Sequence, residues 1–126
     1  MEKLKQEVER LLIVCDRKIR PQNIDVPSIK SALVKEISNY LYYLSASDGM
    51  IHEKEKRFLN ALVDKDLTLK DMAGYIQRNN IYTKEFEQKL PEIYKCLLND
   101  PEDAKLYIDV FSKIGKEFIV IDSKAD

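Results

Sequence analysis

The run from Ile37 to Leu62 constrains this chain more than any other part of it. It reads Ile-Ser-Asn-Tyr-Leu-Tyr-Tyr-Leu-Ser-Ala-Ser-Asp-Gly-Met-Ile-His-Glu-Lys-Glu-Lys-Arg-Phe-Leu-Asn-Ala-Leu. Apolar residues recur at steps of three and four on both sides of Asp48-Gly49, which is the period of a helix face. The pattern is helix, tight turn, helix. Gly49 suits the left-handed backbone that commonly follows a helix C-terminus. Glu53 and Glu55 fall in the first turn of the second helix, where the macrodipole favours negative charge.

The rest of the chain repeats this grammar. A first helix is expected from about Lys3 to Ile19, with Leu4, Val8, Leu11, Leu12 and Cys15 inward and Ile13 and Val14 broadening the stripe. Pro21 stops it. Asp25 or Ser28 caps a second helix, with Pro27 in its first turn, running to about Ala46. This helix is apolar on more than one face, through Ile29, Leu33, Val34, Ile37, Tyr40, Leu41, Tyr42, Tyr43 and Leu44, which places it centrally. The third helix starts near His52 or Glu53 and turns Phe58, Leu59, Leu62 and Val63 inward. Thr68 and Asp71 have capping-box spacing, opening a fourth helix to about Arg78 with Leu69, Met72, Tyr75 and Ile76 inward. Thr83 caps a fifth segment that Pro91 kinks or splits. Asp100-Pro101-Glu102-Asp103 combines a cap, a first-position proline and two acids. The helix it opens carries Ala104, Tyr107, Ile108, Phe111, Ile114 and Phe118. Ile119-Val120-Ile121 alone could pass for a short strand, but it continues the helical stripe and is assigned to the helix. The expected fold is therefore all-α: a compact bundle of five to seven helices in one domain, residues 1–126.

Composition narrows the function. Net charge is -1, with 3 glycines and a single histidine. There is no global field for nucleic acid, no phosphate-cradling glycine loop and no stretch long enough to insert in a membrane. The charged N-terminus lacks a signal peptide, and Cys15 and Cys96 have no paired spacing, so a cytoplasmic protein with reduced, largely buried thiols is expected. His52 reads as a helix-start residue rather than a base. Seven tyrosines exceed what a small core readily absorbs; tyrosine suits interfaces, but the plainer reading places most of them at the rim of the core.

Counted as a calcium loop from Leu44, the turn places Asp48, Gly49, Ile51 and Glu55 correctly, but Leu44 and Ala46 offer no side-chain oxygen where two ligands belong. No metal and no cofactor is expected. Sliding the last helix back so that Phe111 meets Ile37 brings Ile114 to Tyr40, Phe118 to Leu44 and Asp122 to Asp48. This is a partial internal repeat whose second half lacks its partner helix, as if a C-terminal portion were missing.

The segment Ser-Asp-Gly-Met-Ile-His-Glu-Lys-Glu-Lys, after an aromatic-rich apolar helix and before Phe-Leu, resembles the TerB-like family named for tellurite resistance. Asp48, Gly49, Ile51 and Glu55 carry the match, with Asp122 as a weaker second copy. The resemblance implies an all-helical, non-catalytic interaction or regulatory module. It implies a protein partner or attached domain, such as an accessory N-terminal domain of a larger bacterial protein of the AAA ATPase kind. It also implies, as the alternative, a divalent-cation-responsive sensor built on clustered acids. The candidate binding residues are Asp48, Gly49, Glu53, Glu55 and Asp122.

Overall fold

The computed structural model describes residues 1–20, 28–45, 51–81 and 89–123, with only the backbone for residues 122 and 123. All its regular structure is helical. In chain order the helices are α1 (Glu2–Ile19), α2 (Ile29–Ser45), α3 (Glu53–Val63), α4 (Leu69–Arg78), α5 (Glu92–Leu97) and α6 (Pro101–Ser123). Asp25, Pro27 and Thr83, read above as helix-start residues, lie outside the described residues, as does the Asp48-Gly49 turn.

The helices start where short-range chemistry dictates. Ser28 Oγ accepts the Ser31 N–H at 3.1 Å and opens α2. At α4 the Thr68 hydroxyl accepts the Asp71 N–H, and the Asp71 carboxylate accepts the Thr68 N–H. That reciprocal box satisfies two donors a helix start otherwise leaves open. Asp100 Oδ1 accepts from Glu102 and Asp103 at 3.1 and 3.4 Å, with Pro101 at the first helical position of α6. Pro91 stands in extended backbone just before α5, whose first residue is Glu92. Helix α6 runs unbroken through Ile119, Val120 and Ile121. Helix α3 ends on Asp64 in the left-handed region, φ 55°. The Asn60 amide then ties down the turn by donating to the Leu67 carbonyl and accepting its N–H.

The chain forms two compact units, each discontinuous in sequence. One comprises residues 1–37 and 90–114, the other residues 38–89 and 115–126. In the first unit α1 packs on α5, and the first part of α6 runs antiparallel to α1. Lys18 meets Asp100 and Asp103 at one end, and Glu7 meets Lys113 at the other. Its interior holds Leu4, Leu11, Cys15, Leu33, Ile93, Leu97, Tyr107 and Val110. In the second unit Leu41, Tyr42, Phe58, Leu59, Leu62, Met72, Ile76, Ile81 and Phe118 are buried, with Phe58 edge-on to Phe118.

Several inward assignments do not hold. Ile13 is 60% exposed, Leu69 37% and Ile108 48%. Each is apolar at a plausible helical step, but none of the described elements covers it. Conversely, Val110 and Ile81 are fully buried although neither stood out in the periodicity. The repeat also shifts. Buried positions of α2 (Ile37, Ser38, Leu41, Tyr42, Ser45) coincide with those of α6 (Val110, Phe111, Ile114, Gly115, Phe118) one residue earlier than the apolar alignment had them. In that register Asp122 stands opposite Gly49 rather than Asp48, and its backbone is helical, in the last turn of α6 rather than in a turn.

Candidate functional site

The sequence pointed to the start of α3, in the second unit. His52 occupies the N-cap position with extended backbone, φ -97° and ψ 163°. Its carbonyl accepts the first helical bond, from Lys56 N–H at 2.9 Å. Glu55, three residues on, turns back: Oε1 accepts the His52 N–H at 2.8 Å. Its other oxygen, Oε2, accepts the Ser45 hydroxyl from the end of α2 at 3.2 Å. Both carboxylate oxygens are thus engaged, and the residue is 2% exposed. A shallow crevice bounded by Leu41, Tyr42, Ser45, Ile51, Glu55, Leu59, Met72 and Phe118 adjoins it, without room for a water molecule.

Glu53 has the opposite environment. It is exposed and meets Lys56 Nζ at 2.8 Å and Arg57 Nε at 3.5 Å. The Lys56 bond, with further help from Arg57, holds its carboxyl below the usual range. The two acids, two positions apart, point to different sides of α3, as helix geometry requires. Of the five candidate residues, the structure places Glu53 and Glu55 on α3 without joining them. It gives the backbone of Asp122 on α6. Asp48 and Gly49 lie outside the described residues. Among the described residues no three of histidine, cysteine, aspartate and glutamate come together as a metal would need. No described helix is long and apolar enough to cross a membrane.

A second polar cluster, in the first unit, went unread in the sequence. It centres on Glu36 of α2. Its Oε2 accepts the Ile93 N–H at 2.9 Å and its Oε1 the Tyr107 hydroxyl at 2.8 Å. Ile93 lies in the first turn of α5, whose N-cap is Pro91 and makes no side-chain cap. Glu36 therefore caps α5 from another helix. Tyr107 is itself stacked on Phe111, with ring centroids 4.1 Å apart, and tilted against Tyr94. Burial pushes the Glu36 carboxyl upward, against the opposing pull of the bonds it accepts. Burial, then the neighbouring Glu36 charge, raises the Tyr107 phenol.

Cys15 is fully buried, and burial followed by the charges of Glu36 and Asp103 pushes its thiol up to about 12. Burial also raises Cys96. A thiol held protonated is a poor nucleophile, so this cluster is built for structure. The one signal in the sequence was Pro91: a helix start without a capping side chain implies that a remote acceptor supplies the cap.

In the same unit the Lys18 bond draws the Asp100 carboxyl below its ordinary range. Asp103 Oδ2 is buried without a hydrogen bond; its compensation is the Lys18 ammonium 3.5 Å away. No protein-family model, no curated protein and no solved structure matches this chain.

Proposed function

We propose that this chain is a TerB-like helical module that acts by contact rather than catalysis, with a protein partner or an attached domain of a larger cytoplasmic protein. The observation that supports this reading is the burial of Glu55. The acid of the Ser-Asp-Gly-Met-Ile-His-Glu-Lys-Glu motif is spent on holding α3 to the end of α2. A motif acid used this way fixes the start of α3, which carries the exposed Glu53, and leaves little for proton transfer or ligation.

The test is capture of partners from cells of the chain's source, crosslinked before lysis, with the full chain as bait. Glu53→Gln changes the exposed surface of α3 and leaves Glu55 in place. Loss of a specific partner at an unchanged melting temperature supports the reading. No specific partner, or identical capture by the variant, defeats it. Titration with calcium, magnesium and zinc separates the alternative: heat of binding with a raised melting temperature replaces the contact module with a cation sensor.

A further inference from the structure

The outward face of α1 sorts its charges. Lys3, Arg10 and Arg17 form one row and Glu2, Glu9 and Asp16 another, each stepping by two helical turns. Between them runs a third row, Gln6, Ile13 and Arg20. The central row points away from the buried side, which carries Leu4, Leu11, Cys15 and Ile19. Ile13, at its middle, is 60% exposed, more than any other large apolar side chain among the described residues. Arg20 already holds Asp16 within the helix. Lys3, Arg10, Arg17, Glu2 and Glu9 make no ion pair among the described residues.

We infer that this face of α1 pairs with the same face of a second copy of the chain, the two helices lying side by side and parallel. The argument is one of symmetry. A two-fold axis parallel to the helices sets the cation row of one copy against the acid row of the other, on both flanks at once. An antiparallel pair sets cations against cations and acids against acids. Arg10 then faces the Glu9 of the second copy, Lys3 faces its Glu2, and Ile13 meets Ile13 on the axis. Each position of the central row meets itself. A face that was only solvated would have no reason to segregate its signs into flanking rows.

The 18 residues of α1 give a seam of about 27 Å at the helical rise. That is short for a stable interface, so association is weak, rapidly reversible and suppressed by salt. This inference concerns a face remote in sequence from Asp48-Gly49 and does not rest on the function proposed above.

Sedimentation equilibrium of the full chain tests it. At low ionic strength the average mass rises with concentration from 14.7 kDa toward twofold, and high salt abolishes the rise. A variant carrying Lys3→Glu, Arg10→Glu and Arg17→Glu, and another carrying Glu2→Lys and Glu9→Lys, each stay monomeric alone and associate when mixed. Gln6→Cys, in a Cys96→Ser background, forms a disulfide-linked dimer with itself. A wild-type mass that stays monomeric at low salt overturns the inference. So does self-association of either charge variant at wild-type strength, or a Gln6→Cys chain that couples to Arg20→Cys rather than to itself.

Discussion

Glu55 and Glu36 do the same physical job in two different ways. Each carboxylate satisfies a backbone donor at the start of a short helix and takes a hydroxyl on its other oxygen. Glu55 caps its own helix through His52, 3 residues away, and takes its second partner, Ser45, only 10 residues away. Glu36 caps α5 from α2, with partners 57 and 71 residues away. A local cap stabilises a helix whether or not the fold is complete. A remote cap stabilises only the folded arrangement, and so acts as a tertiary constraint.

The strongest way to break the comparison is to remove Glu55. It is the more deeply buried acid, and Glu55→Ala leaves a void and strands the Ser45 hydroxyl and the His52 N–H. The expected loss is about 3 kcal/mol, from two orphaned donors and a buried cavity. Glu55→Gln keeps the shape and one acceptor, and should cost about 1 kcal/mol. Chemical denaturation measures both. Equal losses would show that charge rather than hydrogen bonding sets the role of Glu55.

Glu36→Ala comes next. It uncaps α5, a helix of 6 residues too short to persist unaided, and leaves the Tyr107 hydroxyl without its acceptor. The expected cost is about 2 kcal/mol, near the upper end for losing a helix cap. The effect should also be spatially different. Amide exchange should accelerate through residues 92–97 for Glu36→Ala and around residues 53–56 for Glu55→Ala. Uniform acceleration in both variants would erase the distinction between a local and a remote cap.

Tyr107→Phe is smaller, about 1 kcal/mol for a hydrogen bond to a carboxylate when the stacked ring remains. Combined with Glu36→Ala in a double-mutant cycle, it should show a coupling of about 1 kcal/mol, as side chains in direct contact do. Additive effects would mean that the cap and the phenol act independently, and that Glu36 serves α5 alone.

The same contrast explains what the sequence disclosed. Interactions closed within four residues were legible: the Thr68–Asp71 box and the Asp100-Pro101 start. Each follows from backbone geometry and needs no knowledge of neighbours. Ile13, Leu69 and Ile108 were misplaced because periodicity reports that a face is apolar, not that anything covers it. Val110 and Ile81 were missed for the complementary reason: their burial comes from elements distant in sequence. Glu36 looked like one more charged residue on an amphipathic helix, because its partners are brought to it only by the fold. Of the candidate site, the placement of Glu53 and Glu55 in the first turn of α3 was legible, while the burial of Glu55 and its bond to Ser45 were not. The repeat that would have joined Asp122 to them was read one residue out of register, since side-chain type fixes the phase of a helix only to about one position.

The smallest effect is also the most discriminating, because two opposing influences meet at Glu36. Burial raises its carboxyl, while the bonds from Ile93 and Tyr107 lower it, and burial prevails. A carboxyl that binds its proton more tightly in the folded state adds stability as pH falls through its folded pKa, and that contribution is lost as pH rises back through it. Asp71 and Asp100 act in the opposite sense. Accepted bonds hold both below their ordinary range, so their contribution is present above the unfolded value and is lost on acidification. In the wild-type chain Glu36 therefore offsets part of the acid-induced decline. Glu36→Gln costs one acceptor at every pH and removes the pH-dependent offset, so the stability gap in favour of the wild type should widen as pH falls from neutral toward the carboxylate range. Urea denaturation of both proteins across that window measures the gap. If it narrows instead, the bonds from Ile93 and Tyr107 outweigh burial. Glu36 then works as an ionised cap rather than as a buried acid that holds its proton.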